Sequence, residues 1–348
     1  MARVVVVGSF IQDLVFRTET LPSPGETRIA QLSSGPGGKG SNQAIACRRQ
    51  GAATLFVGAV GDDALGRAYA DLARAEGLET ALEVVRDHAT GAAAILVDAA
   101  ARNMIAVALG ASGALSSHHI ELQRPQIEGA AVLLTQLEAN LDATLRALEI
   151  ARSAGVLTIL NPAPIHAGLP HALLEAADIL TPNETEFTFL LERFHGTKLG
   201  PDTWQAPDAE LGELCDLLGA PTVVLTLGAQ GCFVAHRDAA AEFATTARLP
   251  AGPRPGLGTP SRLRYRVAAP PVNPVDTTGA GDALSGALAA ALASRPRDFV
   301  SAVVRASAAA GLSTERHGAA LSMPDSGEVS AFLATHRCEL DRTVWRWS

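Results

Sequence analysis

The stretch Asp276-Thr-Thr-Gly-Ala-Gly-Asp282, followed by the apolar run Ala283–Ala293, decides the fold. It predicts a tight glycine turn that opens a helix. The small residues from Gly279 to Gly281 leave backbone N–H groups uncovered beside the positive end of the helix dipole, which is an arrangement that binds anions. Spacing alone leaves two interpretations of Asp282 open: a helix N-cap, or a general base beside a phosphoryl group in transfer.

Composition limits the class of protein. The chain has 348 residues, of which 47% are hydrophobic and 18% charged, so we expect one large α/β domain over residues 1–348. A net charge of −8 argues against nucleic-acid and anionic-membrane partners and favours small-molecule chemistry. The four cysteines are scattered without CxxC spacing, which indicates neither a zinc site nor a disulfide framework. No segment is typical of a signal peptide or a membrane span, so a cytoplasmic protein is expected.

The middle of the chain alternates strands and helices. Val4–Val7 and Thr54–Val60 are predicted strands, and helices are predicted from Gly40 to Gly51 and over Arg67–Glu76. The later units are strand Ala131–Thr135, helix Leu141–Ser153, strand Leu157–Leu160, helix Pro170–Ala177, strand Ile179–Leu180, helix Thr185–Arg193 and strand Val223–Thr226. This alternation predicts a parallel sheet with helices on both faces and ligands at the carboxyl ends of its strands.

Two pairs of segments interrupt this rhythm. Weak alternation near Leu14–Phe16 and Thr27–Leu32, and again over 92–109, predicts an exposed flap or lid made of segments 12–34 and 92–109. Residues 194–208 look like a loop insertion. Residues 247–274, rich in Pro, Gly and Arg, predict a mobile loop or an element induced by a partner.

A second glycine-rich stretch, Gly35-Pro-Gly-Gly-Lys-Gly40, matches GxGxxG but not its usual context. A dinucleotide fingerprint needs a strand directly before the first glycine, whereas residues 29–34 are polar and Pro36 falls inside the predicted turn. A phosphate-binding Walker loop needs Ser or Thr after Lys39, and Gly40 is there instead. A glycine turn presenting Lys39 and Asn42 to a hydroxylated ligand remains, beside the simpler possibility of a connection alone.

Polar residues follow several predicted strands. Asp13, in the turn expected after Val4–Val7, together with Asn42 and Glu138, suits polyol recognition, although each alone could be a cap or a surface residue. Asn183 and Glu186, within Thr181–Glu186, could bind phosphate and hydrated Mg²⁺, or could form a capping box.

The turn after Val223–Thr226 adds further candidates. Thr226, Gly228 and Gly231 form a glycine turn at a strand end, which a nucleotide phosphate could approach.

These motifs, in this order, give the chain a family likeness. It resembles the ribokinase-like members of the phosphofructokinase-B (PfkB) family of carbohydrate kinases from Val4 to about Pro324. The matching segments are Gly37-Gly-Lys-Gly-Ser-Asn-Gln-Ala44, Asn161-Pro-Ala-Pro164, Thr181-Pro-Asn-Glu-Thr-Glu186, Leu225-Thr-Leu-Gly228 and Asp276-Thr-Thr-Gly-Ala-Gly-Asp282. The resemblance implies a three-layer α/β/α fold with a central, mostly parallel sheet and a small β-sheet lid that pairs two subunits into a homodimer. It also implies transfer of the γ-phosphate of Mg·ATP to a primary hydroxyl of a sugar.

The resemblance assigns roles to positions of this chain. Asp282 would be the general base. The remaining implied positions are the anion hole at Gly279, Ala280 and Gly281; sugar contacts at Asp13, Gly38, Lys39, Asn42, Glu138 and Asp282; the nucleotide region at Asn183, Glu186, Thr226, Gly228 and Gly231; Mg²⁺ held through water by Glu186; and an activating monovalent cation, K⁺, at Asp276, Thr278, Gly318 and Ser322.

The chain also departs from the family pattern. Ile11 stands two residues before Asp13, where related kinases carry Asn, so one polar contact to the sugar is missing or comes from elsewhere. The long stretch 247–274 leaves the phosphoryl donor open. Ribose is the expected substrate. The competing hypotheses are a nucleoside kinase, a fructose or 2-keto-3-deoxy sugar acid kinase, and a sugar-binding regulatory module without catalysis.

Overall fold

The computed structural model describes residues 3–100, 102–237, 263–295, 298–341 and 344–347. Its strands are β1 (Arg3–Val7), β2 (Ile11–Arg17), β3 (Gln31–Gly37), β4 (Ala53–Gly61), β5 (Glu79–Val85), β6 (Gly91–Val97), β7 (Asn103–Ala108), β8 (Val132–Thr135), β9 (Leu157–Leu160), β10 (Ile179–Leu180), β11 (Thr222–Thr226), β12 (Cys232–His236), β13 (Leu263–Val267), β14 (Cys338–Asp341) and β15 (Val344–Trp347). Its helices are α1 (Lys39–Arg49), α2 (Ala64–Ala75), α3 (Ser117–Leu122), α4 (Arg124–Glu128), α5 (Leu141–Ser153), α6 (His171–Glu175), α7 (Glu184–His195), α8 (Asp208–Leu217), α9 (Ala280–Ser294), α10 (Phe299–Ser313) and α11 (Ser326–Thr335).

Two sheets organise the described residues. The large sheet has the strand order β14-β15-β13-β12-β11-β10-β9-β8-β1-β4-β5 and is parallel from β11 to β5. The small sheet has the order β3-β2-β6-β7, in which only β2 and β6 run parallel. The α/β architecture with a small β-sheet lid, implied by the sequence, is therefore confirmed.

The core lies on both faces of the large sheet. Alternate residues of β1 point to opposite faces, so Val4 and Val6 pack with α1, α9 and α10, whereas Val5 and Val7 pack with α5 and its neighbours. All four valines are fully buried. A strand that is buried on both sides reads as a continuous apolar run, which explains the Val4–Val7 pattern.

Helices α1 and α9 approach each other closely beside this core. Gly286 of α9 allows the contact, because a Cβ there would lie 2.5 Å from the Cβ of Ala46 and 2.7 Å from the carbonyl oxygen of Gln43. The thiol of Cys47 donates a hydrogen bond to the Gly286 carbonyl oxygen at 3.2 Å. This packing places the amino-terminal ends of the two helices side by side.

Several element predictions are confirmed. Helix α5 and strands β9 and β10 have the predicted bounds, and the hairpin over 92–109 is β6 and β7. The stretch 194–208 contains the end of α7 and a 3₁₀ helix at Pro201–Gln205 before α8 begins. Among the described residues no helix has the length and apolarity needed to cross a bilayer.

Three predictions are wrong. Asp13 lies within β2 rather than in a turn, since residues 11–17 pair with both β3 and β6. Pro36 is part of β3 rather than of the glycine turn, because it pairs with Gln12. The loop predicted over 247–274 contains β13, which pairs with β12, whereas residues 247–262 lie outside the described residues.

Candidate active site

Two helix starts form the floor of the site. Gly38 precedes α1 with a φ of 83°, and Gly279 precedes α9 with a φ of 79°. These are left-handed conformations that glycine adopts without steric cost. Each glycine therefore turns the chain directly into a helix whose first N–H groups have no partner within that helix.

Asp282 lies in the first turn of α9 and is 5% exposed. Its carboxylate accepts two side-chain hydrogen bonds from α1: Oδ2 from Asn42 Nδ2 and Oδ1 from Gln43 Nε2, both at 2.9 Å. The N-cap interpretation of Asp282 is wrong, because Gly279 occupies the N-cap position. The carboxylate instead points across to α1, where two amides fix its orientation.

The glycine turn that precedes Asp282 has an open side at Gly281. A Cβ at Gly281 would meet no atom within 4 Å. The Ala280 N–H donates to the Thr277 carbonyl oxygen at 3.2 Å. Among the described residues, the N–H groups of Gly279 and Gly281 have no acceptor, so these two can point at an anion.

Glu138 braces the other glycine turn. Its Oε2 atom accepts a hydrogen bond from the Ser9 hydroxyl at 2.5 Å and from the Lys39 N–H at 2.7 Å. Burial alone would lower the pKa of the Lys39 ammonium. The carboxylates of Asp282, Glu138 and Glu186 outweigh burial and hold that pKa above its ordinary value. Lys39 is therefore a fixed positive charge among several carboxylates.

Asp13 enters the site from the lid. Strand β2 places it opposite Gly35 on β3 and Ala93 on β6. Burial, and then repulsion by Glu138 and Asp282, raises its pKa from 3.8 to about 6. Because these charges act on Asp13, the three predicted site carboxylates, Asp13, Glu138 and Asp282, lie in one region. The sequence pattern indicated that they would come together.

A chain of buried amides supports Asp282 and was missed by the sequence analysis. Gln136 Nε2 donates to Gln43 Oε1 at 2.6 Å, and Gln43 Nε2 also donates to Asn161 Oδ1 at 3.1 Å. Asn161 Nδ2 in turn donates to the Thr181 carbonyl oxygen at 2.9 Å. The chain links α1 to the ends of β8, β9 and β10. Gln43 and Asn161 stand inside recognised motifs, but no spacing rule pairs them.

The start of α7 forms the next part of the strand edge. Asn183 and Glu186 make a capping box, with the Asn183 side chain accepting from the Glu186 N–H at 2.9 Å and Glu186 accepting from the Asn183 N–H at 2.8 Å. The capping interpretation is therefore correct for this pair. Burial raises the pKa of Glu186, and this effect is larger than the opposite effects of the hydrogen bond from the Asn183 N–H and of the Lys39 charge.

Thr226 lies beside this capped start. It forms a parallel bridge with Asn183, and its N–H donates to the Pro182 carbonyl oxygen at 2.9 Å. Gly228 is open, because a Cβ there would meet nothing within 4 Å. At Gly231 a Cβ would lie 2.0 Å from the Val267 carbonyl oxygen, so this glycine is needed for packing against β13.

Asp276 ties two loops together. Its Oδ1 atom accepts from the Thr278 N–H at 2.9 Å and its Oδ2 atom from the Gly318 N–H at 3.0 Å. These bonds join the start of the glycine turn to the loop before α11. Ser322 follows Gly318 in the same loop and is buried. Its hydroxyl donates to the Ala319 carbonyl oxygen at 2.8 Å rather than to Asp276.

Comparison with known proteins gives a consistent result. The model of the pfkB family of carbohydrate kinases matches residues 1–326. A ribokinase from Haemophilus influenzae is 33% identical over 330 residues, covering 94% of this chain and 97% of the relative. A deoxyribokinase from Salmonella typhi is 30% identical over 288 residues, covering 82% and 84%.

Solved structures show the same likeness. A ribokinase from Giardia lamblia has a TM-score of 0.78 at 28% identity, covering 96% of this chain and 99% of that chain. A ribokinase from Arabidopsis thaliana, solved as a complex with ribose and ATP, has a TM-score of 0.73 at 27% identity, covering 95% and 98%.

Proposed function

The chain belongs to the pfkB family of carbohydrate kinases, and on this premise we propose that it transfers the γ-phosphoryl group of ATP to a primary hydroxyl of ribose. The observation that carries the proposal is the Asp282 carboxylate, which two amides hold in the first helical turn after an uncovered glycine. Asp282 takes the proton of the attacking hydroxyl as the sugar oxygen bonds to the γ-phosphorus. The bond to the β-phosphate oxygen breaks and ADP leaves.

The sugar is placed between the lid and α1. The buried Asn42 Oδ1 has no hydrogen-bond partner among the described residues, and a sugar hydroxyl would satisfy it. Asp13 and Glu138 carry the acceptor oxygens, while Lys39 and the Gly38 turn line the same start of α1. Carboxylates and amides can each bind two hydroxyls, so this set suits a small polyol.

ATP is placed along the edge formed by Asn183, Glu186, Thr226 and Gly228, with its γ-phosphate at Gly279 and Gly281. Two features support this placement: the open position at Gly228 and the buried Glu186. Glu186 would hold Mg²⁺ through water, and the bound ion would neutralise charge on the phosphates.

We also propose that K⁺ activates the enzyme from beside the turn. Asp276, Thr278 and Gly318 are already joined by hydrogen bonds, so a cation there would fix the N–H groups of the turn. Ser322 is the weaker member of this proposed set. The test is the effect of K⁺ on turnover. If K⁺ stimulates Asp276→Asn as much as the wild type, the proposed cation site is wrong.

A homodimer through the lid is the proposed assembly. The lid exposes Leu32, Met104, Ile105 and Val107, each between 48% and 62% exposed. Strand pairing puts Leu32 and Met104 on one face of the lid and Ile105 and Val107 on the other. Exposed apolar side chains gathered on one small sheet mark an interface more often than a free surface. Light scattering of the wild type and of Ile105→Lys tests it, since a wild type that is monomeric at assay concentration would exclude the dimer. The cytoplasmic location stays a prediction.

A specific observation favours a second substrate, 2-deoxyribose. Ile11 is 2% exposed and packs against Gly91 at the base of the lid, so it offers no polar atom near Asp13. A sugar hydroxyl that is left without a partner costs about 1–3 kcal/mol, which penalises ribose but not a sugar lacking that hydroxyl. The Ile11→Asn variant is expected to shift kcat/KM toward ribose by about tenfold.

The decisive experiment measures ADP release with ribose, 2-deoxyribose, fructose and adenosine, with and without K⁺. The wild type should turn over a pentose fastest, and Asp282→Asn should lose about 10³-fold or more in kcat while sugar binding, measured by calorimetry, survives. Asp62→Asn on the exposed surface is the matched control. Near-normal turnover in Asp282→Asn would refute the general base. Pentose binding without turnover in the wild type would favour a regulatory sugar-binding module.

A further inference from the structure

A polar cavity lies at the opposite end of the helices that open the active site. Helix α1 starts at Lys39 and Gln50 follows its end, and α9 starts near Asp282 and ends at Ser294. Gln50 and Ser294 both line a cavity of about 290 Å³, together with residues from the starts of α10 and α11. Twelve residues of helix separate Asp282 from Ser294, which places this cavity about 18 Å from the general base.

The cavity contains a guanidinium that is held in place without a counter-ion. Arg305 lines the wall and its Nη2 atom donates to the Ser326 carbonyl and hydroxyl oxygens, both at 3.0 Å. The Ser330 hydroxyl oxygen accepts at 3.3 Å. Among the described residues, no carboxylate lies within ion-pair distance of Arg305. Neutral hydrogen-bond partners therefore hold the Arg305 side chain in place, and they leave its positive charge without a neutralising carboxylate among the described residues.

A second guanidinium lines the same cavity. It belongs to Arg295, which follows α9. Burial and then repulsion by Arg295 lower the pKa of Arg305. Asp298 also lines the cavity, but its Oδ1 atom already accepts from the Ser301 N–H at 3.1 Å as the cap of α10. Two guanidiniums face one carboxylate, so the cavity has a net positive charge.

Two opposing terms limit this charge. The carboxyl end of α9 contributes up to about half a negative charge, which two arginines outweigh. Solvent reaches Arg295 and reduces its contribution. The hydroxyls of Ser301 and Ser326 can donate to an oxyanion, whereas those of Ser294 and Ser330 already donate to carbonyl oxygens of their own helices.

We propose that this cavity binds a small phosphate-bearing anion, at a site separate from the phosphoryl-transfer centre. The Arg295 guanidinium, free of other hydrogen bonds among the described residues, matches the oxygens of a phosphate group, and Arg305 adds a fixed positive charge. The cavity is at the lower end of the size range of ligand pockets, which favours inorganic phosphate or the phosphate group of a small sugar phosphate over a nucleotide. The proposal does not depend on the identity of the sugar substrate.

The test is calorimetric titration of the full chain with inorganic phosphate and, separately, with ribose 5-phosphate. Arg295→Gln is the main variant, because Arg295 is exposed and no hydrogen bond of its side chain supports the fold among the described residues. It should weaken binding at this site about tenfold. Ser330→Ala, which removes one wall hydroxyl, should weaken it less. Arg67→Gln is the matched control, since it removes the same charge from the exposed face of α2.

The outcomes separate clearly. Binding that is weakened by Arg295→Gln but not by Arg67→Gln supports the site, and the tighter of the two ligands identifies the source of the phosphate. If phosphate binds only at the active site, both arginine variants should bind it with nearly the affinity of the wild type, and that result overturns the proposal. Absence of binding of either ligand to the wild type overturns it as well.

Discussion

Replacing Gln43 by methionine is expected to slow phosphoryl transfer more than it weakens substrate binding. The methionine side chain has nearly the same length but no hydrogen-bonding nitrogen. Gln43 Nε2 donates to Asp282 Oδ1, so its loss leaves that carboxylate with a single amide, that of Asn42. Sugar contacts assigned to Asp13, Asn42 and Glu138 are not touched by the change.

The magnitude follows from the two kinds of bond that are lost. A hydrogen bond to a charged group contributes about 1.5–3 kcal/mol, which corresponds to a loss in kcat of about 10- to 150-fold if it acts in full on the transition state. Gln136 and Asn161 also lose their partner, and each buried polar group left unsatisfied costs about 1–3 kcal/mol of folding free energy. We therefore expect lower stability together with lower kcat.

Gln136→Leu separates the two effects. It breaks the bond to Gln43 Oε1 and also removes Gln136 Oε1, a buried acceptor without a partner among the described residues. The bonds to Asp282 stay in place, so kcat should change by less than about threefold. Steady-state kinetics well below the melting temperature, with calorimetric sugar binding, gives the comparison. If Gln43→Met lowers the melting temperature but keeps the kcat of the wild type, Gln43 does not position the base.

Three further predictions concern the lid and the helix pair. Gly37→Ala places a methyl 2.3 Å from Asp13 Oδ2 and should raise the sugar KM about tenfold, whereas Gly35→Ala on the same strand meets nothing within 4 Å and should have wild-type KM. Because the pKa of Asp13 is raised to about 6, ionising it costs more in the folded protein than in the unfolded one. The free energy of unfolding of the unliganded protein should therefore fall as the pH rises from 3.8 to about 6. Denaturant titrations at both ends of that range should show this fall in the wild type and not in Asp13→Asn. Gly286→Ala, whose methyl would lie 2.5 Å from the Ala46 Cβ, should cost about 1–3 kcal/mol of stability, and an unchanged melting temperature would contradict the close helix contact.

Local signals predicted some boundaries well. Helix α5 begins at Leu141 because the Asn140 side chain accepts from the N–H groups of Asp142 and Ala143, and the chain leaves it through Gly155 with a φ of 71°. Both signals are visible in the sequence as an N-cap residue and a stop glycine. Where an N-cap residue and a stop glycine flank a segment with helical apolar periodicity, the sequence alone predicts where the helix begins and ends.

The same reasoning failed at β13. Its sequence, Leu-Arg-Tyr-Arg-Val, alternates with period two, but it stands in a window rich in Pro, Gly and Arg, which outweighed the alternation. The two arginines pair with carboxylates of α8, Arg264 with Asp216 at 3.2 Å and Arg266 with Asp208 at 2.7 Å. These partners lie about 50 residues away in sequence, so the reason that charged side chains suit this strand is tertiary.

The amide support of Asp282 shows the same limit at the site. Consecutive residues of an α-helix point about 100° apart, so one partner ordinarily contacts only one of them. Asn42 and Gln43 nevertheless reach the same carboxylate, because each amide takes a different oxygen. The sequence identified Asp282 and Asn42 by type and position, but the crossing of two helices at Gly286 brings the second amide into place. Each carboxylate oxygen accepts one hydrogen bond from α1 and has a lone pair left for a further donor. In the proposed mechanism, the two amides therefore fix the plane of the Asp282 carboxylate, and with it the directions from which a sugar hydroxyl can approach.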